Sequence, residues 1–103
     1  MDIFETAGEI VVRAEIPGVR GEDIRVNVDG DVLRISGVRK VPADTEVQRL
    51  HQMEIAFGPF EREVRIEVPF DGDHVNAHLE DGFLSVTIPK LQPARHQVPV
   101  ETE

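Results

Sequence analysis

Two histidines, His74 and His78, stand four residues apart, the spacing at which a pair of imidazoles on one helix face ligates a metal ion. Their segment, HVNAHLEDG, reads as β rather than helix, and positions four apart on a strand are separated by ~13 Å, too far to share one small ion. Ser36 and Ser85 are the only serines. Both fall on outward positions of alternating stretches, without the strained turn or adjacent base that activates a nucleophile. Asp71 and Asp73 form a carboxylate pair that acid–base chemistry could use, yet FDGDH reads as a turn, and 20 acidic residues in 103 make such pairs commonplace. No glycine-rich phosphate loop is present, and the absence of cysteine excludes thiolate catalysis and cysteine-ligated zinc. The expectation is a protein without catalytic residues, metal or cofactor.

The elements that carry these residues are strands. Valine and isoleucine number 23 against five leucines, a balance suited to pleated, half-buried surfaces. In EIVVRAEIPG, Ile10, Val12, Ala14 and Ile16 share one face while Val11, Arg13 and Glu15 share the other. DIRVNVDGDVLRISG places Ile24, Val26, Val28, Leu33 and Ile35 inward, with Asp29-Gly30-Asp31 as a hairpin turn. EREVRIEVP repeats the pattern with Val64, Ile66 and Val68, and FLSVTIPK with Leu84, Val86 and Ile88, preceded by the turn Asp81-Gly82. No segment sustains a 3.6-residue apolar period, and Pro17, Pro69 and Pro89 each follow a strand. The reading is all-β: seven or eight short strands in a two-sheet antiparallel, immunoglobulin-like sandwich.

One hundred and three residues make a single domain, and 40% hydrophobic residues support its core without disulfides. The formal net charge is −9, with eleven scattered basic residues, so no phosphate-tracking stripe can be drawn and nucleic acid is not an expected partner. MDIFETAGE has no basic-then-apolar leader, and no apolar run approaches the ~18 residues of a membrane span. No membrane association is expected, and a cytoplasmic setting is.

Two segments do not belong to the sandwich. Residues 39–59 form an excursion of about twenty residues whose start, VPADTEVQ, is loop-like but in which Met53, Ile55 and Phe57 alternate with Glu54 and Ala56. A long loop with its own strand pattern reads as an arm that pairs with another subunit, an exchange that hides sheet edges. The polar tail, residues 92–103, ends in RHQVPVETE, where an extended x-Pro-x triplet points Val98 and Val100 the same way and Pro99 lowers the cost of ordering them.

Four motifs in order resemble the α-crystallin domain of small heat-shock proteins of the bacterial, archaeal and plant type. They are AEIPGVRGEDIRVNVDGDVLRISG (Ala14 to Gly37), FGPFEREVRIEVP (Phe57 to Pro69), AHLEDGFLSVTIPK with its Ala-x-x-x-Asp-Gly-x-Leu signature, and Val98-Pro99-Val100 in place of the family's Ile-x-Ile/Val triplet. The resemblance covers nearly the whole chain and implies several roles. Residues 1–91 would be the sandwich domain, with 39–59 as its dimerisation loop. Met53, Ile55 and Phe57 would be the buried face of that arm, with Arg62 making ion pairs or hydrogen bonds near the dimer interface. Val98, Pro99 and Val100 would dock into an apolar groove of another subunit, between the strand carrying Ile24, Val26 and Val28 and the one carrying Val75, Ala77 and Leu79.

The implied function is that of an ATP-independent holdase whose grooves bind partly unfolded client proteins, self-associated as a homodimer through the loop strand and as higher oligomers through the tail. The chain opens at Met1 almost directly into the domain, whereas members of the family usually carry a long N-terminal arm that contributes to large oligomers and client capture; the resemblance does not extend to those properties. Two rival readings stand beside it. One is a co-chaperone or adaptor sandwich with a single folded partner, which would not require the Val-Pro-Val motif. The other is a metal protein or enzyme built around His74 and His78.

Overall fold

The computed structural model describes residues 1–42, 46–91 and 98–102. His96 and the tail segment 92–97 lie outside the described residues, as do positions 43–45 of the loop. Among these described residues seven strands are formed: β1 (Asp2–Glu5), β2 (Glu9–Glu15), β3 (Ile24–Asp29), β4 (Val32–Arg39), β5 (Gly58–Arg65), β6 (Asn76–Glu80) and β7 (Phe83–Pro89). All pairings are antiparallel, in one sheet of order β1-β2-β7-β6 and another of order β3-β4-β5. The two-sheet, all-β architecture is the one the alternation implies. The described residues contain no helix beyond two single 3-10 turns, Gly21–Asp23 and Gly72–His74, and none long and apolar enough to cross a membrane.

Facing follows from period 2. Ile10, Val12, Ala14 and Ile16 are buried, as are Leu33, Ile35, Val64, Ile66, Leu84, Val86 and Ile88, with Val19 from the β2–β3 connection completing the core. Cross-strand partners keep these residues on one side: Val12 lies opposite Val86, and Leu33 opposite Val64. Between β6 and β7, Asp81 and Gly82 both take positive φ, 51° and 80°, the pattern of the two-residue turn whose twist matches the strands it joins.

β1 escapes the alternation argument. DIFE places two large apolar residues side by side, so no face is declared, and the strand exists because Asp2 to Glu5 pair with Arg13 to Ile10 of β2. Ile3 lies opposite Val12 and therefore on the inner face, yet remains 52% exposed. On the outer face, Phe4 lies under the Arg13 guanidinium, 5.3 Å from ring centroid to Cζ, a cation–π contact.

Candidate functional site

The two sheets leave one apolar seam uncovered where their edges meet. Among the described residues β3 pairs only with β4 and β6 only with β7, so each is the outer strand of its sheet. Register sets the side chains: Val26 faces Ile35 and Val28 faces Leu33, while Ala77 faces Val86 and Leu79 faces Leu84. Ile24, Val26, Val28, Val75 and Leu79 are half-buried against the core, and Ala77 is exposed.

The 3-10 turns close the ends of this seam. At one end Leu79 Cδ2 comes within 3.9 Å of where a β-carbon on Gly21 would lie, and at the other Val28 Cγ1 lies equally close to that of Gly72. β3 and β6 thus face each other in opposite directions, with Leu79 beside Gly21, which precedes β3, and Val28 beside the turn that leads into Val75. The result is a slot with inward-facing apolar residues every second position, a repeat of ~7 Å. Of the six residues assigned to the groove from the sequence, Ile24, Val26 and Val28 lie on β3 and Ala77 and Leu79 on β6, while Val75 lies between the 3-10 turn and the start of β6.

The tail motif is not seated in this chain's own slot: Val98 and Val100 are 77% and 87% exposed. The root of the tail is held. Lys90 N–H donates to the Gly8 carbonyl at 2.9 Å, Leu91 N–H to that of Pro69 at 3.0 Å, and Lys90 Nζ meets Glu5 Oε2 at 3.0 Å.

The excursion between β4 and β5 departs from the strand pattern read in it. Among its described residues none is in a strand, and Met53 and Ile55 are 68% and 64% exposed. Alternation declares a face, but a strand needs a neighbour to accept its hydrogen bonds, and in the single chain the arm has none. Its apolar residues Val41, Val47, Leu50, Met53, Ile55 and Phe57 instead line a hollow of about 300 Å³.

Arg62 sits opposite Ile35, on the inner side of β5, but at the open edge of the three-stranded sheet, where it is exposed. Among the described residues no carboxylate pairs with it. Its neighbours Glu61 and Glu63 are engaged on the outer face by Arg34, at 3.1 and 2.8 Å. The hydrogen bond that Arg34 donates to Glu63, with the charges of Glu63 and Glu61, raises the pKa of the Arg34 guanidinium above its ordinary value.

Among the described residues, the histidines and serines form no reactive group. His74 belongs to the 3-10 turn, its Nδ1 2.6 Å from Asp71 Oδ2, while Asp71 also accepts from the Asp73 N–H. His78 points to the outer face, its Nε2 3.3 Å from Glu80 Oε2. Ser85 lies directly across from His78. That placement resembles a nucleophile and base, but no hydrogen bond joins Ser85 to the ring, which spends Nε2 on Glu80, and both sit on flat strand rather than a strained turn. Among the described residues, no group of three potential ligands could hold a metal ion.

What sequence reasoning missed is Arg39. From the last pair of the β4–β5 ladder it donates through Nε to the Pro17 carbonyl at 2.9 Å and through Nη1 to the Ala56 carbonyl at 3.0 Å. Nothing in the pattern of SGVRK announces two backbone acceptors from distant segments.

Known proteins share this arrangement. The sequence profile described as the Hsp20/alpha crystallin family matches residues 2–101. Spore protein SP21 of Stigmatella aurantiaca is 37% identical over 100 residues, covering 94% of this chain and 59% of its own length. The 17.8 kDa class I heat shock protein of Arabidopsis thaliana is 34% identical over 103 residues, 99% of this chain and 66% of its own. The chain thus spans about three fifths to two thirds of these relatives. Among solved structures, heat shock protein 16.0 of Schizosaccharomyces pombe superposes with a TM-score of 0.81 at 29% identity, covering 99% of this chain and 94% of that one. A small heat-shock protein of Xylella fastidiosa does so at 0.76 and 32% identity, covering 96% and 94%. With the profile matched from end to end and the same sandwich beneath it, this chain belongs to the Hsp20/alpha crystallin family of small heat shock proteins.

Proposed function

We propose that this protein is an ATP-independent holdase: it binds partly unfolded chains along apolar surface and keeps them from aggregating, without a chemical step. The observation that carries the reading is the open slot between β3 and β6, lined by Ile24, Val26, Val28, Val75, Ala77 and Leu79. An apolar channel flanked by free strand edges accepts an extended peptide by backbone pairing and has no demand for one particular sequence. Binding the unfolded form lowers the concentration of free sticky species, which is sufficient to slow aggregation.

The same slot suits the tail motif. Val98 and Val100, two residues apart, match the same-face repeat of an edge strand, so residues 92–103 act as a docking peptide for another copy of the domain 1–91. Full burial of each valine yields on the order of 1.5–3 kcal/mol before ordering costs, so single tails hold weakly and assemblies rest on several. Dimerisation is assigned to the arm, with Met53, Ile55 and Phe57 as its contact face and Arg62 at the interface. Its complement is β1, the outer strand of the four-stranded sheet, where Ile3 stays exposed although it lies opposite the buried Val12.

The test is light scattering of two unrelated enzymes heated with the purified chain and no nucleotide. Suppression of both supports the holdase. Protection of neither, with tight binding to one folded protein, would identify a dedicated adaptor instead.

A further inference from the structure

The arm is fixed at its root, and both fixings converge on one corner of the sandwich. The corner is Pro17–Asp23, between β2 and β3. As the chain leaves β4, Lys40 Nζ meets Asp23 Oδ1 at 2.9 Å. As it returns, the Ala56 carbonyl is held by Arg39 Nη1 at 3.0 Å, while Arg39 Nε holds the Pro17 carbonyl at 2.9 Å. The guanidinium lies against Gly18, with Nε 3.9 Å from where a β-carbon there would stand. Two residues later Gly58 takes φ +108°, a conformation open to glycine, and the chain re-enters the sheet.

We infer that Arg39 is the positioning residue of the arm: by bonding the outgoing strand, the returning chain and the Pro17 corner through one planar group, it sets the direction in which the arm projects. The chemistry suits arginine. A guanidinium has donors diverging in a plane and can serve two carbonyls from different segments at once, which the single ammonium of lysine does less well. An arm already aimed loses less freedom when a second copy receives it, so the latch acts through preorganisation rather than contact with the partner. In a two-fold symmetric dimer each latch occurs twice, and a substitution is felt on both arms. The inference rests on the dimerisation role proposed for the arm.

Arg39→Met, which keeps the aliphatic stem, tests it against Arg39→Lys. Dimer dissociation is measured by sedimentation across a concentration series, and hydrogen exchange at the Phe57 amide, which donates to Ile55 at the arm's root, is measured at dilution beside core amides of Val12 and Val86. The expected result for Arg39→Met is a dimer weakened on the order of 10–100-fold, about 1.4 kcal/mol for each factor of ten. Exchange at Phe57 quickens while that at Val12 and Val86 stays unchanged, and Arg39→Lys falls between the two. A dimer as tight as the parent, or unchanged exchange at Phe57, overturns the inference. Loss of core protection together with dimerisation also overturns it, since Arg39 would then be holding the sandwich and not the arm. A parent chain that stays monomeric at every concentration overturns the dimer reading instead, and the latch is then decided by Phe57 exchange alone.

Discussion

Gly37 of β4 lies so close beneath Asp23 that a β-carbon built on it would stand 2.5 Å from the Asp23 carbonyl oxygen and 2.8 Å from Cζ of Phe60. The contact lets the Pro17–Asp23 corner settle onto β4 at the point where Ile24 enters the sheet opposite Gly37. No side chain fits without moving backbone, so the corner, the start of the slot and the mount of the arm depend on a missing methyl group.

Gly37→Ala is therefore expected to destabilise the domain by about 2 kcal/mol, the cost of overpacking a closely packed site. For a domain of this size that lowers the thermal midpoint by roughly 8–16 °C. Calorimetry checks it, and a midpoint within two degrees of the parent would show that the corner yields easily.

Ala77→Glu separates the slot from the fold. Ala77 faces inward yet is exposed, so a carboxylate placed there enters the slot without displacing core. The thermal midpoint should move little, within ~0.5 kcal/mol. Suppression of client aggregation should weaken several-fold. Retained suppression in the stable variant would move client binding away from β3 and β6.

Val98→Ala with Val100→Ala tests the tail. Each change removes two methyl-sized groups, on the order of 1.5 kcal/mol per valine and roughly 3 per tail, or a ~100-fold loss in docking. Light scattering should show assemblies larger than the dimer collapsing to dimer, with the unfolding midpoint unchanged because both valines are exposed in the single chain. Equal masses for parent and variant would remove the tail from assembly.

Arg34→Ala probes the charge cluster on the outer face of β4 and β5. Arg34 holds Glu61 and Glu63 in water, so its effect should be small and should shrink as salt rises from about 0.05 to 1 M. A raised guanidinium contributes stability that is present everywhere below its ordinary pKa and is lost only as pH climbs through the raised value. The slope of stability against pH between 5 and 9 should accordingly be the same in parent and variant. A salt-independent loss on substitution would mean that Arg34 supports packing.

The inner and outer faces of five strands, β2 to β5 and β7, were legible in the chain, while the face of β6 came only from the family resemblance. Ile10, Val12 and Ala14, or Leu84, Val86 and Ile88, alternate with polar residues, and a strand's period of two turns that order directly into facing. Hairpins were legible for the same reason: Asp29-Gly30-Asp31 and Asp81-Gly82 carry their turn geometry locally. DIFE carried no such signal and became β1 only through the partner it found in β2.

The arm is the reverse case, since Met53, Ile55 and Phe57 alternate and yet form no strand, because the neighbour such a strand requires is not in this chain's sandwich. The facing of Ile24, Val26 and Val28 was written in their order, but their half-burial was not. That depends on β6 lying across from β3 at the rim, far away in sequence. Arg39 and Gly37 were silent altogether, one meeting backbone carbonyls that any residue could supply, the other defined by how closely Asp23 approaches. Which way a side chain faces is a local property of strand geometry, and the sequence by itself determined it. What lies beyond an edge, whether core, open slot or a carbonyl within reach, is set by segments brought together from a distance, and only the tertiary structure decided it.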